Sequence, residues 1–138
     1  MHEAQSLLLL YCVRSFCVFP SMSDVFKWNS PEGHALCRDI LKETALPYEP
    51  HNHQVEGACQ SLDGVNLLAI TPTGSGKTAY YIIYMLVILA ILWDPDQFPA
   101  SKFPKNPCLI VICPTIPLQL EMVSTVPLLW QDSDIYAS

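Results

Sequence analysis

Charge is scarce in this sequence, closely paired cysteines are missing, and no apolar run is long enough to span a membrane. Only 14% of the 138 residues are charged, and the formal net charge is −6. Such a balance excludes a protein whose whole surface grips nucleic acid through bulk electrostatics. It does not exclude a local phosphate site, which needs only a few donors. The six cysteines, at 12, 17, 37, 59, 108 and 113, include no C-x-x-C pair. They read as reduced thiols buried as small hydrophobes, and a zinc site completed by His51 and His53 would lack the usual paired spacing. The apolar stretch at 7–13 follows Glu3 rather than basic residues and closes at Arg14, a poor signal peptide. The longer run at 80–93 falls short of the roughly 20 residues that a spanning helix needs.

What remains is 51% hydrophobic, enough for one domain with a modest core. Residues 1–29 carry no sustained period and no motif, and are expected to be an N-terminal extension to a domain at 30–138. At Ser30-Pro31-Glu32 the sequence offers an N-cap, a proline at the first helical position and an acid in the first turn. Ala35, Leu36, Ile40 and Leu41 then recur at helical spacing, predicting a helix over 31–43. Pro47 and Pro50 place 46–53 in a loop, and a second helix is expected at about 54–62, ending at the turn pair Asp63-Gly64.

Two apolar runs, 65–70 and 108–113, have strand length, and a helix is expected near 117–126, before Pro127. Between the two runs lie a glycine-rich loop, the apolar stretch at 80–93 and a proline-rich connector. Strand, loop, helix, connector, strand is a βαβ order. It predicts an α/β fold of the P-loop NTPase, RecA-like kind, with a parallel sheet flanked by helices. A helix packed beneath such a sheet can be apolar nearly all round, which accounts for 80–93 without a membrane.

The loop carries the chemistry. Residues 73–78 read Thr-Gly-Ser-Gly-Lys-Thr. A triphosphate needs many donors at close range; glycines let backbone N–H groups approach it, and the following helix presents its N-terminus to the same anion. Thr73, Gly74, Ser75, Gly76, Lys77 and Thr78 are therefore the candidate nucleotide-binding residues. Lys77 is placed to reach the β- and γ-phosphates and to offset charge in the transition state, and the Thr78 hydroxyl to ligate Mg²⁺. Thr71 stands where the strict G-x-x-x-x-G-K-[ST] string has its first glycine.

The wider wording, Thr-Pro-Thr-Gly-Ser-Gly-Lys-Thr at 71–78, resembles motif I of superfamily 2 helicases of the DEAD/DEAH type. Gln54 stands upstream of Lys77 at the separation where the RecQ and DEAD-box groups carry a glutamine that reads the adenine edge. A side-chain amide suits that task because it both donates and accepts. The segment at 109–123, Leu-Ile-Val-Ile-Cys-Pro-Thr-Ile-Pro-Leu-Gln-Leu-Glu-Met-Val, resembles motif Ia, with Pro114 and Thr115 at the turn that touches the nucleic-acid backbone. Its Pro114, Leu118 and Glu121 are spaced most like the RecQ type.

The resemblance covers 31–138 and implies the N-terminal part of the first RecA-like lobe of an ATP-dependent, RecQ-like (3′–5′) DNA helicase. It implies ATP and Mg²⁺ as cofactors, DNA ahead of RNA as partner, and an intracellular place, nuclear if the source is eukaryotic. Three residues depart from the RecQ pattern: His51 stands where that type has an arginine, Met122 where it has a second glutamine, and Pro117 where it has a serine. No Asp-Glu-x-His or Asp-Glu-Ala-Asp string is present, and Asp132 and Asp134 follow no strand-like run. That acidic pair completes Mg²⁺ binding and activates the attacking water. The chain is therefore expected to capture ATP without turning it over. Two readings stay open beside the DNA helicase: a non-catalytic nucleotide-binding or interaction module, and a fragment of an RNA-directed DEAD-box enzyme.

Overall fold

The structure, a computed structural model, describes residues 26–44, 46–72, 74–98, 103, 107–112 and 115–131, with the side chains of 123 and 125–131 excepted. Four helices make up its regular structure: α1 (Pro31–Glu43), α2 (Asn52–Leu62), α3 (Thr78–Trp93) and α4 (Ile116–Gln131). α1 begins as its sequence dictates. The Ser30 hydroxyl accepts the Gly33 N–H at 3.0 Å, Pro31 occupies the first turn, and Glu32 faces the positive end of the helix dipole. α2 closes on a left-handed glycine: Gly64 has φ 83°, its N–H reaches Ser61 O at 2.9 Å, and the Val65 N–H reaches Gln60 O at 3.1 Å. That pair of bonds is the Schellman arrangement, and it needs a residue without a Cβ penalty at position 64.

α3 is the centre of the core. It packs on α2 and α1, which also pack on each other. Tyr81, Ile82, Ile83, Tyr84, Met85, Leu86, Val87, Ile88 and Ile91 are all buried. Each large side chain so buried stabilises by roughly 1.5–3 kcal/mol relative to exposure. The expectation that 80–93 is a buried helix holds, and among the described residues no helix is long and apolar enough to cross a membrane. α4 joins the core through Met122, whose sulfur accepts from the Tyr81 hydroxyl.

Residues 26–29, read with the extension, belong to the packed unit. Trp28 is buried, and its N–H and that of Asn29 are donated to the two oxygens of Asp63 at 2.8 and 2.9 Å. Residues 1–25 lie outside the described residues.

The α/β expectation is not met. Among the described residues there is no strand, and the parallel sheet of the RecA-like kind is absent. The runs at 65–70 and 107–112 are nonetheless apolar and alternate in exposure. Leu67, Ala69, Leu109 and Val111 are partly covered, and Leu68, Ile70, Ile110 and Ile112 are exposed. They have the side-chain period of strands without the ladder. A strand exists only through hydrogen bonds to a neighbour, and no backbone bond joins these two runs among the described residues.

A second correction concerns Pro127, which was expected to lie beyond the last helix. α4 runs through it to Gln131. A proline inside a helix removes one N–H and its bond to the carbonyl four residues back, a cost of roughly 3 kcal/mol.

Candidate nucleotide-binding site

The glycine-rich loop lies between 65–72 and α3, and its backbone is shaped by two residues of positive φ, Gly74 at 83° and Gly76 at 73°. A side chain at either position would be strained. A Cβ added at Gly74 would meet nothing within 4 Å, so the loop is open to solvent on that side.

Hydrogen bonds internal to the loop hold this shape. The Ser75 hydroxyl donates to the Thr71 hydroxyl at 2.7 Å, and the Ser75 N–H to Pro72 O at 3.3 Å. Lys77 Nζ reaches back to Pro72 O at 2.8 Å. Thr71, the departure from the strict motif, thus supplies a hydroxyl that a glycine could not. α3 starts immediately after Lys77, where the Ala79 N–H bonds Gly76 O at 2.9 Å.

The loop fits a phosphate chain by its donors. Among the described residues, no protein acceptor takes the N–H of Gly74, Gly76, Lys77 or Thr78. These amides stand at the positive end of a 16-residue helix. Thr78, the candidate Mg²⁺ ligand, is half-buried at the first position of α3. The remaining expected loop residue, Thr73, lies outside the described residues.

Gln54 is brought to this loop from α2. Its side chain is 2% exposed. Oε1 accepts the His51 N–H at 2.9 Å, closing the first turn of α2. Nε2 donates to Ser75 O at 3.3 Å and to Gly76 O at 3.1 Å. Gln54, expected to read the adenine edge, thus contacts the loop through the backbone carbonyls of Ser75 and Gly76.

Beside it three rings gather. His51 and His53 stack with centroids 5.4 Å apart, and His53 tilts towards Tyr80 at 6.1 Å. Tyr80 follows the loop directly, and burial, then the charge of Glu56, holds its phenol above the ordinary tyrosine range. No cluster of three metal-ligating side chains is found among the described residues, so the zinc alternative has no support there.

The structure does not bring the motif Ia residues to the loop as a described group. Thr115 is exposed and directly precedes α4, its O accepting the Gln119 N–H at 3.1 Å; Pro114 lies outside the described residues. A separate groove of about 390 Å³, bordered by Arg38, Lys42, Tyr48 and Glu49, lies between α1 and the loop before α2 and includes none of the phosphate-loop residues. Two features escaped the sequence. One is the Asp63 carboxylate under Trp28. The other is the thiol pair Cys37–Cys59, buried between α1 and α2, in which Cys59 donates to Cys37; this raises the Cys59 thiol and lowers that of Cys37. Neither pairing leaves a signal in spacing.

Loop, helix N-terminus and lysine together define a phosphate-loop nucleotide-binding protein. Residues 51–135, more than half of the chain, match the DEAD/DEAH box helicase family. The chain belongs to that family, whose members bind ATP and nucleic acid. No curated protein and no solved structure matches it.

Proposed function

We propose that this chain captures Mg²⁺-bound ATP as part of the first lobe of a RecQ-like DNA helicase, and that it does not turn the nucleotide over by itself. The observation that carries the reading is the loop at 74–78. Two glycines of positive φ, amides without protein acceptors among the described residues and a lysine stand at the start of a long buried helix. Lys77 would exchange its bond to Pro72 O for the β- and γ-phosphates, and the Thr78 hydroxyl would hold the metal. Charge on the phosphate oxygens would be offset by the metal held there. The RecQ-like assignment, DNA over RNA and the 3′–5′ direction rest on the spacing of Pro114, Leu118 and Glu121. A nuclear place in a eukaryote follows from DNA as the partner.

The absent Asp-Glu pair favours binding without hydrolysis in this chain. The test is titration of a fluorescent ATP analogue against the chain and its Lys77→Ala variant. The variant is expected to bind at least about tenfold more weakly, the loss of a charge-assisted contact. ATP release of phosphate is expected to be the same in both. Equal binding by the two proteins overturns the site. Phosphate release by the chain above the level of the variant overturns the absence of turnover.

A further inference from the structure

α1 and α2 are tied to one another at both ends. Arg38 Nη2 donates to Asn52 Oδ1 at 2.6 Å and Nη1 to Pro50 O at 3.4 Å, which joins α1 to the start of α2. At the other end the Trp28 and Asn29 N–H groups, just ahead of α1, bond the Asp63 carboxylate that closes α2. Cys37 and Cys59 fall between these ties, one on each helix, and neither has any exposed surface. Their thiols meet across the helix contact, the Cys59 S–H donating to the Cys37 sulfur.

Two thiols in contact can do what the exposed thiol of Cys108 cannot do alone. The bond from Cys59, against the effect of burial and with the Arg38 charge in support, lowers the Cys37 thiol towards the thiolate, the form that attacks an oxidant. Cys59, raised by that same bond and by burial, stays protonated and is in place to react second. Joining the two sulfurs removes both S–H groups, so no buried donor is left unpaired.

We propose that Cys37 and Cys59 form a reversible disulfide when the protein meets a hydroperoxide, stapling the middle of α1 to the last turn of α2. The Cys37 thiolate attacks one peroxide oxygen and the O–O bond breaks. A sulfenic acid forms, and the other oxygen leaves as hydroxide, which takes the proton that Cys37 gave up and becomes water. The Cys59 sulfur then displaces the sulfenic hydroxyl; the S–S bond forms, the S–O bond breaks, and the hydroxyl leaves as water with the Cys59 proton. Two thiols are oxidised, and one hydrogen peroxide is reduced to two waters. Burial slows the first step, since the oxidant enters only when α1 and α2 part locally. The second step is fast, because the resolving thiol is already in contact. The bond would form whatever the phosphate loop holds.

The experiment treats the 138-residue chain with a small excess of hydrogen peroxide, alkylates the remaining thiols in denaturant and digests with trypsin. Cleavage after Lys27, Arg38, Lys42 and Lys77 puts Cys37 in peptide 28–38 and Cys59 in peptide 43–77. The expected result is these two peptides joined, absent from the untreated chain and separated by dithiothreitol. The oxidised chain is expected to melt about 5–15 °C higher, because the cross-link restricts the unfolded state. In Cys59→Ser the hydroxyl still donates to the Cys37 sulfur but cannot close the bond, so peroxide is expected to leave a Cys37 sulfenic acid that dimedone traps.

Cys37 and Cys59 recovered as free thiols while Cys108 is oxidised overturns the proposal, as does their recovery as unjoined sulfinic or sulfonic acids. A joined pair that melts no higher than the reduced chain overturns the staple. Absence of the dimedone adduct in a folded Cys59→Ser chain overturns the first attack by Cys37.

Discussion

The Asp63 carboxylate receives the Trp28 N–H at 2.8 Å across 35 positions of sequence, and through its second oxygen the Asn29 N–H at 2.9 Å. One side chain at the end of α2 thereby fixes the entry to α1. Against the same turn lies Gly33, where a Cβ would stand 2.1 Å from Trp28 O. Asp63→Ala is expected to destabilise the fold by about 2 kcal/mol, since it leaves two backbone donors without a charged acceptor. Asp63→Asn, which keeps one acceptor, is expected to cost about half as much. Urea unfolding followed by circular dichroism checks both. A midpoint unchanged in Asp63→Ala removes the carboxylate from the account of stability.

The contact between α2 and α3 depends on a missing side chain at Gly57. A Cβ there would meet Tyr80 Cε1 at 2.6 Å and Leu67 Cδ2 at 3.0 Å. Alanine in a helix interior gains roughly 0.5–1 kcal/mol over glycine. Overpacking takes away roughly 1–3 kcal/mol, so the overlap wins. Gly57→Ala is expected to lower the melting temperature, and a second change, Tyr80→Ala, to make the alanine at 57 harmless. A Gly57→Ala protein that melts higher would show that the ring of Tyr80 yields freely.

Three thiols separate by access. Cys37 and Cys59 are fully buried, whereas Cys108 is exposed. Cys37 is biased towards the thiolate by the hydrogen bond from Cys59, but an alkylating reagent must first reach it. Iodoacetamide on the native protein, followed by peptide mapping, is expected to modify Cys108 and to spare Cys37 and Cys59 until denaturant is added. Labelling of the buried pair at the rate of Cys108 would mean that α1 and α2 open readily.

Alkaline conditions test the burial of Tyr80. Burial first, and the Glu56 charge second, raise its phenol above the ordinary value of 10.0. In the unfolded chain the group titrates near that ordinary value, so between the two values the folded state holds more protons. The stability it contributes is whole below about pH 10 and is lost as pH rises through the raised folded value. Tyr48, raised by burial as well, adds to the same loss. Tyr80→Phe is expected to flatten part of the fall in melting temperature above about pH 10, and Tyr48→Phe a further part. An unchanged slope in Tyr80→Phe would place its ring in water.

Local signals in the sequence specify the helix ends. Ser30, Pro31 and Glu32 marked the start of α1, which ends at Glu43 as its spacing predicts. Asp63-Gly64 marked the end of α2, because a left-handed glycine is a local requirement. The start of α2 lies two residues earlier than expected: histidine is not among the usual cap residues, yet His51 and Gln54 close a capping box there. The glycine loop was legible as a string, whereas the tie from Gln54 to Ser75 O and Gly76 O depends on where α2 lands. The sheet expected from the sequence is absent among the described residues because an apolar, alternating run such as 65–70 announces a strand's surfaces and leaves its partner unstated. Thr73 and Pro114, both expected at the site, lie outside the described residues.

That alternation at 107–112 has a practical use. Ile110 and Ile112 are 80% and 83% exposed, whereas Leu109 and Val111, on the opposite side, pack against the core. The two isoleucines are therefore handles for formulation. Threonine or lysine at 110 and 112 would trade surface greasiness for water affinity and leave the packed face untouched, which turns the least finished side of the molecule into its easiest one to engineer.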